Sequence, residues 1–328
     1  MTQRGEIANL PDGQTAPALP RAPARGRMVD IGGRSLHLVC SGPRGAIPTV
    51  VFEAGAFGAS ADWAVVQDRI ADRMHACAYD RAGLGLSDPG PEPRDSRAVA
   101  ADLKALLEAS GERGPFILAA HSMAPVHSYL FALQNPDLVS GLVLVDGTPP
   151  EAMTDPKIAG MVRSFGVAAA LAPVAARLGL LWAADPLAGD PIGVPGQAGS
   201  DKRRAFASVK HNHWGAVEAK DWLRDGQEAR DAGELSRELP VAVISATGDA
   251  RLRAALEAPA RRSRRGYVEH VSGANHATLL GPKFCDAVIR GIEFVKRAAV
   301  DTPTQPASVF APSVENDRRP VREMVPAA

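Results

Sequence analysis

Ser122 lies in the stretch Ala120-His121-Ser122-Met123-Ala124, directly after the apolar run Pro115-Phe116-Ile117-Leu118-Ala119. The run has the length and composition of a buried strand. Where a strand turns sharply into a helix, a serine hydroxyl is lifted clear of the sheet, provided that the residues two before and two after it are nearly free of side chain. Ala120 and Ala124 meet that steric demand, with alanine where glycine is usual. A hydroxyl presented this way becomes a nucleophile when a histidine accepts its proton and a carboxylate fixes the histidine. In a strand-turn-helix setting the three follow in the order serine, acid, histidine.

Both partners can be placed downstream. Leu239-Pro240-Val241-Ala242-Val243-Ile244-Ser245-Ala246 reads as a buried strand, and Thr247-Gly248-Asp249 leaves it through a turn that carries an acid. Tyr267-Val268-Glu269-His270-Val271 reads as the next strand, with His276 in the loop beyond it. Loops after the carboxyl ends of parallel strands emerge on one sheet edge, so Ser122, Asp249 and His276 are expected to share that edge. Of the eight histidines, His37, His75 and His270 belong to strand-like runs and His127 to the helix after the serine. His121 adjoins the serine, with its ring expected to point elsewhere, and His211 and His213 fall in a later helical segment. His276 is the expected base and Asp249 the expected acid. Asp146, closing the strand Gly141-Leu142-Val143-Leu144-Val145, is the rival carboxylate.

A tetrahedral oxyanion needs two hydrogen-bond donors. One is the backbone N–H of Met123, the residue after the nucleophile. The other is expected in the small-residue loop Ala54-Gly55-Ala56-Phe57-Gly58-Ala59-Ser60, which follows the strand Thr49-Val50-Val51-Phe52-Glu53. Its N–H is assigned to Ala56, with Phe57 as the alternative one residue away.

These residues resemble the α/β-hydrolase superfamily over positions 28–300. Residues 52–60 look like its first oxyanion loop, with Ala54-Gly55 where many members carry His-Gly. The segment Tyr79-Asp80-Arg81-Ala82-Gly83-Leu84-Gly85-Leu86-Ser87-Asp88 is similar to the superfamily's turn after its fourth strand and is the most specific single match. The resemblance implies an α/β fold: a mostly parallel central sheet flanked by helices, built from 28–147 and 239–300. It also implies that 148–238, inserted between the sixth and seventh strands, is a helical cap or lid over the serine. The activity it implies is a serine hydrolase cleaving a carboxylic ester through an acyl-enzyme, with no metal or organic cofactor. Lactonases, thioesterases, C–C hydrolases and aminopeptidases with the same triad are alternatives, as is a slow-turnover or non-catalytic ligand receptor. Haloalkane dehalogenases and epoxide hydrolases of the superfamily need an aspartate nucleophile, which position 122 lacks.

Composition agrees with a single large core. The chain has 328 residues, 45% hydrophobic and 23% charged, with 37 basic and 37 acidic residues in balance, which gives no reason to expect nucleic acid as a partner. The expected partner is a small-molecule ester, and the oligomeric state is open. The cysteines at 40, 77 and 285 are too few for a disulfide framework. Cys40 and Cys77 read as small buried hydrophobes, hence a cytoplasmic, reducing location. No Cys/His spacing resembles a zinc site. The Pro- and Ala-rich ends, 1–27 and 301–328, are expected to be disordered. Within the inserted segment, which holds Trp182, Trp214 and Trp222, the apolar run 165–184 is interrupted by Pro173 and Arg177 and reads as lid helix rather than membrane span. Ser96 is the expected N-cap of a helix whose Val99, Leu103, Leu106 and Leu107 share one face.

Overall fold

The computed structural model describes residues 25–45, 48–188 and 190–300. The tails expected to be disordered lie outside them, apart from residues 25–27, of which Arg27 opens the first strand. The strands are β1 (Arg27–Asp30), β2 (Ser35–Ser41), β3 (Thr49–Glu53), β4 (Ala76–Tyr79), β5 (Phe116–His121), β6 (Val139–Val145), β7 (Val241–Ser245) and β8 (Gly266–His270). They form a sheet in the order β1-β2-β4-β3-β5-β6-β7-β8. Strands β1 and β2 pair antiparallel with each other, β2 is antiparallel to β4, and every pairing from β4 to β8 is parallel.

Parallel strands must be covered on both faces, so they read as continuous apolar runs. Within them the pleat still sorts side chains by alternation. Val50 and Phe52 face one layer, where α1 (Ala64–Ile70) and α10 (Cys285–Val300) contribute Val66, Ile70, Val288 and Ile292. Val51, Leu118 and Leu142 face the other, against Leu103, Leu106 and Leu107 of α2 (Ser96–Ser110) and Phe131 of α3 (Pro125–Gln134). The expected apolar face of α2 is buried. Its N-cap, however, is Asp95, whose carboxylate accepts from the Ala98 N–H at 2.9 Å, and Ser96 is already in the first turn. An ionised acceptor one residue earlier satisfies the free amides and suits the positive end of the helix better than a hydroxyl.

Between β6 and β7 the chain is helical: α4 (Pro156–Ala169), α5 (Ala172–Arg177), α6 (Leu180–Ala188), α7 (Gly196–Ala207) and the long α8 (Val209–Asp231). By length and composition Pro156–Arg177 could cross a bilayer; here it folds as α4 and α5, with Ile158 and Val162 buried in a cluster with Trp222 of α8. After β7 comes α9 (Ala250–Arg262). Of the three tryptophans in this region, Trp222 is buried, Trp214 packs against the Gly83 turn, and Trp182 is exposed. A second expectation is overturned. Cys40 and Cys77 are register partners on β2 and β4 and are joined in a disulfide, so they are not free buried thiols and give no support to a cytoplasmic location.

Candidate active site

The turn after β5 places the serine. Ser122 has φ +61°, a left-handed conformation that costs a non-glycine residue about 1–2 kcal/mol. Its neighbour β6 holds it there. The Ser122 N–H donates to the Val145 carbonyl at 3.2 Å, and the Ser122 carbonyl accepts from the Thr148 N–H at 2.8 Å. Ala120 and Ala124 are fully buried, and the tightest approaches are made by adjacent loops. A Cβ at Gly55 would stand 2.7 Å from Ser122 Cβ, and one at Gly147 would stand 2.4 Å from Pro125 Cγ.

His276 and Asp146 complete a hydrogen-bonded chain. Ser122 Oγ lies 2.9 Å from His276 Nε2, and His276 Nδ1 lies 2.8 Å from Asp146 Oδ2. The other oxygen, Oδ1, accepts from the Ala246 N–H at 3.0 Å. Burial alone would push the Asp146 carboxyl up, but the hydrogen bonds from His276 and from the Ala246 amide outweigh it and hold the group below the ordinary carboxylate range. A charged Asp146 fixes the proton on Nδ1 and leaves the Nε2 lone pair facing the serine hydroxyl.

Asp249, the expected acid, is not the partner of His276. Its Oδ1 caps α9 by accepting from the Arg251 and Leu252 amides at 3.0 and 3.1 Å, and its Oδ2 takes the Lys157 ammonium at 2.5 Å. The Lys157 contact, then the Leu252 amide, hold its carboxyl below the usual range. The reason lies in sheet order. Strand β6 is hydrogen-bonded to β5, with Val145 paired to His121, so Asp146 emerges beside Ser122, whereas Asp249 emerges one strand farther out and begins a helix.

His121 does face the site. Its ring centroid is 4.5 Å from that of His276, and its Nε2 donates to the His276 backbone carbonyl at 2.9 Å. Burial, and then the neighbouring His276, push His121 down to about 3 from an ordinary 6.5, so it is a neutral brace for the histidine loop. An unfolded ring takes its proton near 6.5 and the folded one only near 3, so this contribution is whole above pH 6.5 and falls away with decreasing pH. Between pH 7 and pH 4 the wild type should lose roughly 3 kcal/mol more unfolding free energy than His121→Phe. Urea titrations of both proteins at the two pH values check it; parallel losses would refute it.

The loop after β3 is held from outside by two buried side chains. Arg81, in the turn after β4, donates to the Ala54 and Gly55 carbonyls and pairs with Glu218 of α8, with Nη2 to Oε2 at 2.9 Å. Both side chains are buried. Although burial disfavours the Arg81 cation, the neighbouring Glu218 more than compensates and raises the Arg81 pKa. His211 of α8 accepts the Gly85 N–H on Nδ1 and donates from Nε2 to the Phe57 carbonyl, both at 2.9 Å. The inserted helices therefore grip the loop that carries Ala56. The N–H groups of Ala56 and Met123, the expected oxyanion donors, have no acceptor among the described residues, and Ala56 lines the cavity with Ser122. Glu218→Ala would strand a buried guanidinium, so an unfolding free energy lower by about 3 kcal/mol is expected from urea denaturation. An unchanged midpoint would mean the pair holds nothing.

Neither brace was accessible to sequence reading. Arg81 stands in the Tyr79–Asp88 motif, but Glu218 and His211 lie on a helix with no local signal. The cavity above Ser122 is about 750 Å3 and is lined by Gly55, Thr148, Met161, Phe165, Trp222, Leu252 and Leu256. Phe165 stands edge-on to both Trp222 and Phe57, at 5.8 and 6.2 Å between centroids, which gives one wall an aromatic surface.

Known proteins resemble this chain at two levels. The Bacillus subtilis protein YqjL is 34% identical over 98 residues, 30% of this chain and 39% of its own length. A 2-(acetamidomethylene)succinate hydrolase from Mesorhizobium japonicum is 33% identical over 123 residues, 38% of this chain and 43% of its own. The chain thus matches less than half the length of these relatives. A structure from Pseudomonas aeruginosa, described as an epoxide hydrolase, superposes with a TM-score of 0.67 at 18% identity, covering 87% of this chain and 100% of its own. The family pattern of the alpha/beta hydrolase fold spans residues 48–281, and with this sheet and this strand order the chain belongs to that family.

Proposed function

We propose that the protein is a serine hydrolase that cleaves a carboxylic ester through an acyl-enzyme, with Ser122 as nucleophile, His276 as general base and acid, and Asp146 as the carboxylate that orients it. The observation that carries this reading is the continuous chain from Ser122 Oγ through the imidazole to Asp146, with steps of 2.9 and 2.8 Å. His276 Nε2 takes the hydroxyl proton as Oγ attacks the ester carbonyl. The imidazolium, stabilised by Asp146, returns that proton to the leaving alcohol. The Ala56 and Met123 amides hold the oxyanion, each worth about 3 kcal/mol to the transition state. Water activated by the same histidine then releases the acid. The helices between β6 and β7 act as a cap, and the apolar walls supplied by Met161, Phe165, Trp222 and Leu256 favour an uncharged acyl or alcohol group.

A serine nucleophile separates this site from epoxide hydrolysis, which in this superfamily proceeds through an aspartate. Turnover of p-nitrophenyl acetate and butyrate, assayed beside lactones and thioesters, tests the reading together with fluorophosphonate labelling mapped by peptide mass spectrometry. Sustained ester release with the label on Ser122 is expected. Label-free protein that releases no p-nitrophenol would overturn the reading and leave a ligand-binding role for the same cavity.

A further inference from the structure

At the sheet edge away from Ser122, four metal-binding side chains converge that the hydrolytic site does not use. Cys40 on β2 and Cys77 on β4 stand directly opposite each other, His75 precedes β4, and Glu112 follows α2. One sulfur, nitrogen or carboxylate oxygen from each lies within 4.8 Å of all the others. Cys77 Sγ and His75 Nε2 are 3.8 Å apart, as are Cys40 Sγ and Glu112 Oε1, and His75 Nε2 is 2.9 Å from Glu112 Oε2. A tetrahedral zinc ion, with Zn–S near 2.3 Å and Zn–N or Zn–O near 2.0–2.2 Å, sets its donors about 3.3–3.8 Å apart.

The surroundings are those of a prepared site. His75 Nδ1 faces the Gly42 carbonyl at 3.2 Å, the backbone contact that fixes a ligating imidazole with its Nε2 lone pair inward. Arg44 donates to Glu112 Oε1 at 3.0 Å, as an outer partner does to a ligating carboxylate. His75, Cys77 and Glu112 are buried. Two thiolates and a carboxylate balance one divalent ion plus the Arg44 cation, and a sulfur-nitrogen-oxygen donor set suits zinc among the common divalent metals.

We propose that the Cys40–Cys77 disulfide and a bound zinc ion are alternative locks on this edge of the sheet, the metal being held by Cys40 Sγ, Cys77 Sγ, His75 Nε2 and a Glu112 oxygen in the reduced protein. A dithiol reductant supplies two electrons and two protons, breaks the S–S bond and leaves as its own cyclic disulfide. As zinc binds, the two thiols release their protons to solvent. Oxidation of the thiolates by a disulfide oxidant restores the bond and expels the ion. Either lock joins β2 to β4, and the metal would add the end of α2 through Glu112.

The test uses cobalt(II) as a spectroscopic probe on the full chain, reduced with dithiothreitol and desalted without air. One cobalt per chain is expected, with a thiolate-to-cobalt charge-transfer band in the near ultraviolet and the visible bands of a tetrahedral ion. Zinc should bleach both, and the oxidised protein should show neither. Cys285→Ser, which removes the free thiol, should retain the bands, and the Cys40→Ser, Cys77→Ser double variant should lose the charge-transfer band. Absence of that band in reduced wild type would overturn the proposal, as would its survival in the double variant. Should the double variant not fold, the oxidised and reduced wild-type spectra decide alone.

Discussion

Alanine at position 122 is expected to lower kcat for p-nitrophenyl butyrate by roughly 10⁵- to 10⁶-fold and to abolish fluorophosphonate labelling. The substitution removes one oxygen and little else. Its backbone bonds to Val145 and Thr148 involve main-chain atoms, so the elbow keeps its shape. The His276–Asp146 hydrogen bond also remains. A residual rate of about 10³–10⁴ over the uncatalysed reaction should persist, because the amides and the cavity still bind the oxyanion and the acyl group while water attacks directly. Stability should shift by no more than about 0.5 kcal/mol, since the hydroxyl's partner is a solvent-facing imidazole. Full activity or persistent labelling in this variant would transfer the nucleophile to another residue.

The difference between what could be read from the sequence and what could not is one of range. The strand at Phe116–His121, the helix at Pro125–Gln134 and the β7 and β8 runs are marked by composition within a dozen residues. Their order puts Ser122 and the loop of His276 on one edge. Sheet order is a different kind of information, because it depends on which strands pair across the molecule. Asp249 had the better local signal, a Thr-Gly-Asp turn, yet that signal belongs to a helix cap. Asp146, the rival acid, had only its place at the end of an apolar strand: it follows β6 at φ +42°, a conformation that aspartate tolerates and that no neighbouring residue announces. The cysteines misled for the same reason. Cys40 and Cys77 are 37 residues apart in sequence and meet only through the β2–β4 register, which also brings in His75 and Glu112.

Long-range contacts also decide how the proposed oxyanion loop is held. Apart from Phe57, residues 54–58 carry no side chain larger than a methyl, and only one turn bond, Gly58 N–H to the Gly55 carbonyl, lies within them. Their carbonyls instead find Arg81 and His211. Because Arg81 answers to Glu218, and His211 and Glu218 share α8, one inserted helix sets the loop that faces the serine. Substitutions on the buried face of α8 should therefore register at the site even where they touch no substrate.

The choice between the two carboxylates yields the last of the large effects. Asp146→Asn is expected to reduce kcat by about 10⁴-fold, and the geometry gives the cause. The Ala246 N–H donates to Oδ1, so an asparagine must turn its carbonyl oxygen there and its NH2 toward His276 Nδ1. That NH2 can only donate, which forces Nδ1 to be the acceptor and moves the ring proton to Nε2, facing Ser122. An imidazole in that tautomer cannot take the hydroxyl proton. Asp249→Asn should leave kcat within about twofold, because asparagine caps a helix as well as aspartate and the exposed, solvent-screened Lys157 pair does not reach the site. Side-by-side kinetics of the two variants separate the assignments. A collapse of activity in Asp249→Asn with Asp146→Asn near wild type would reverse them.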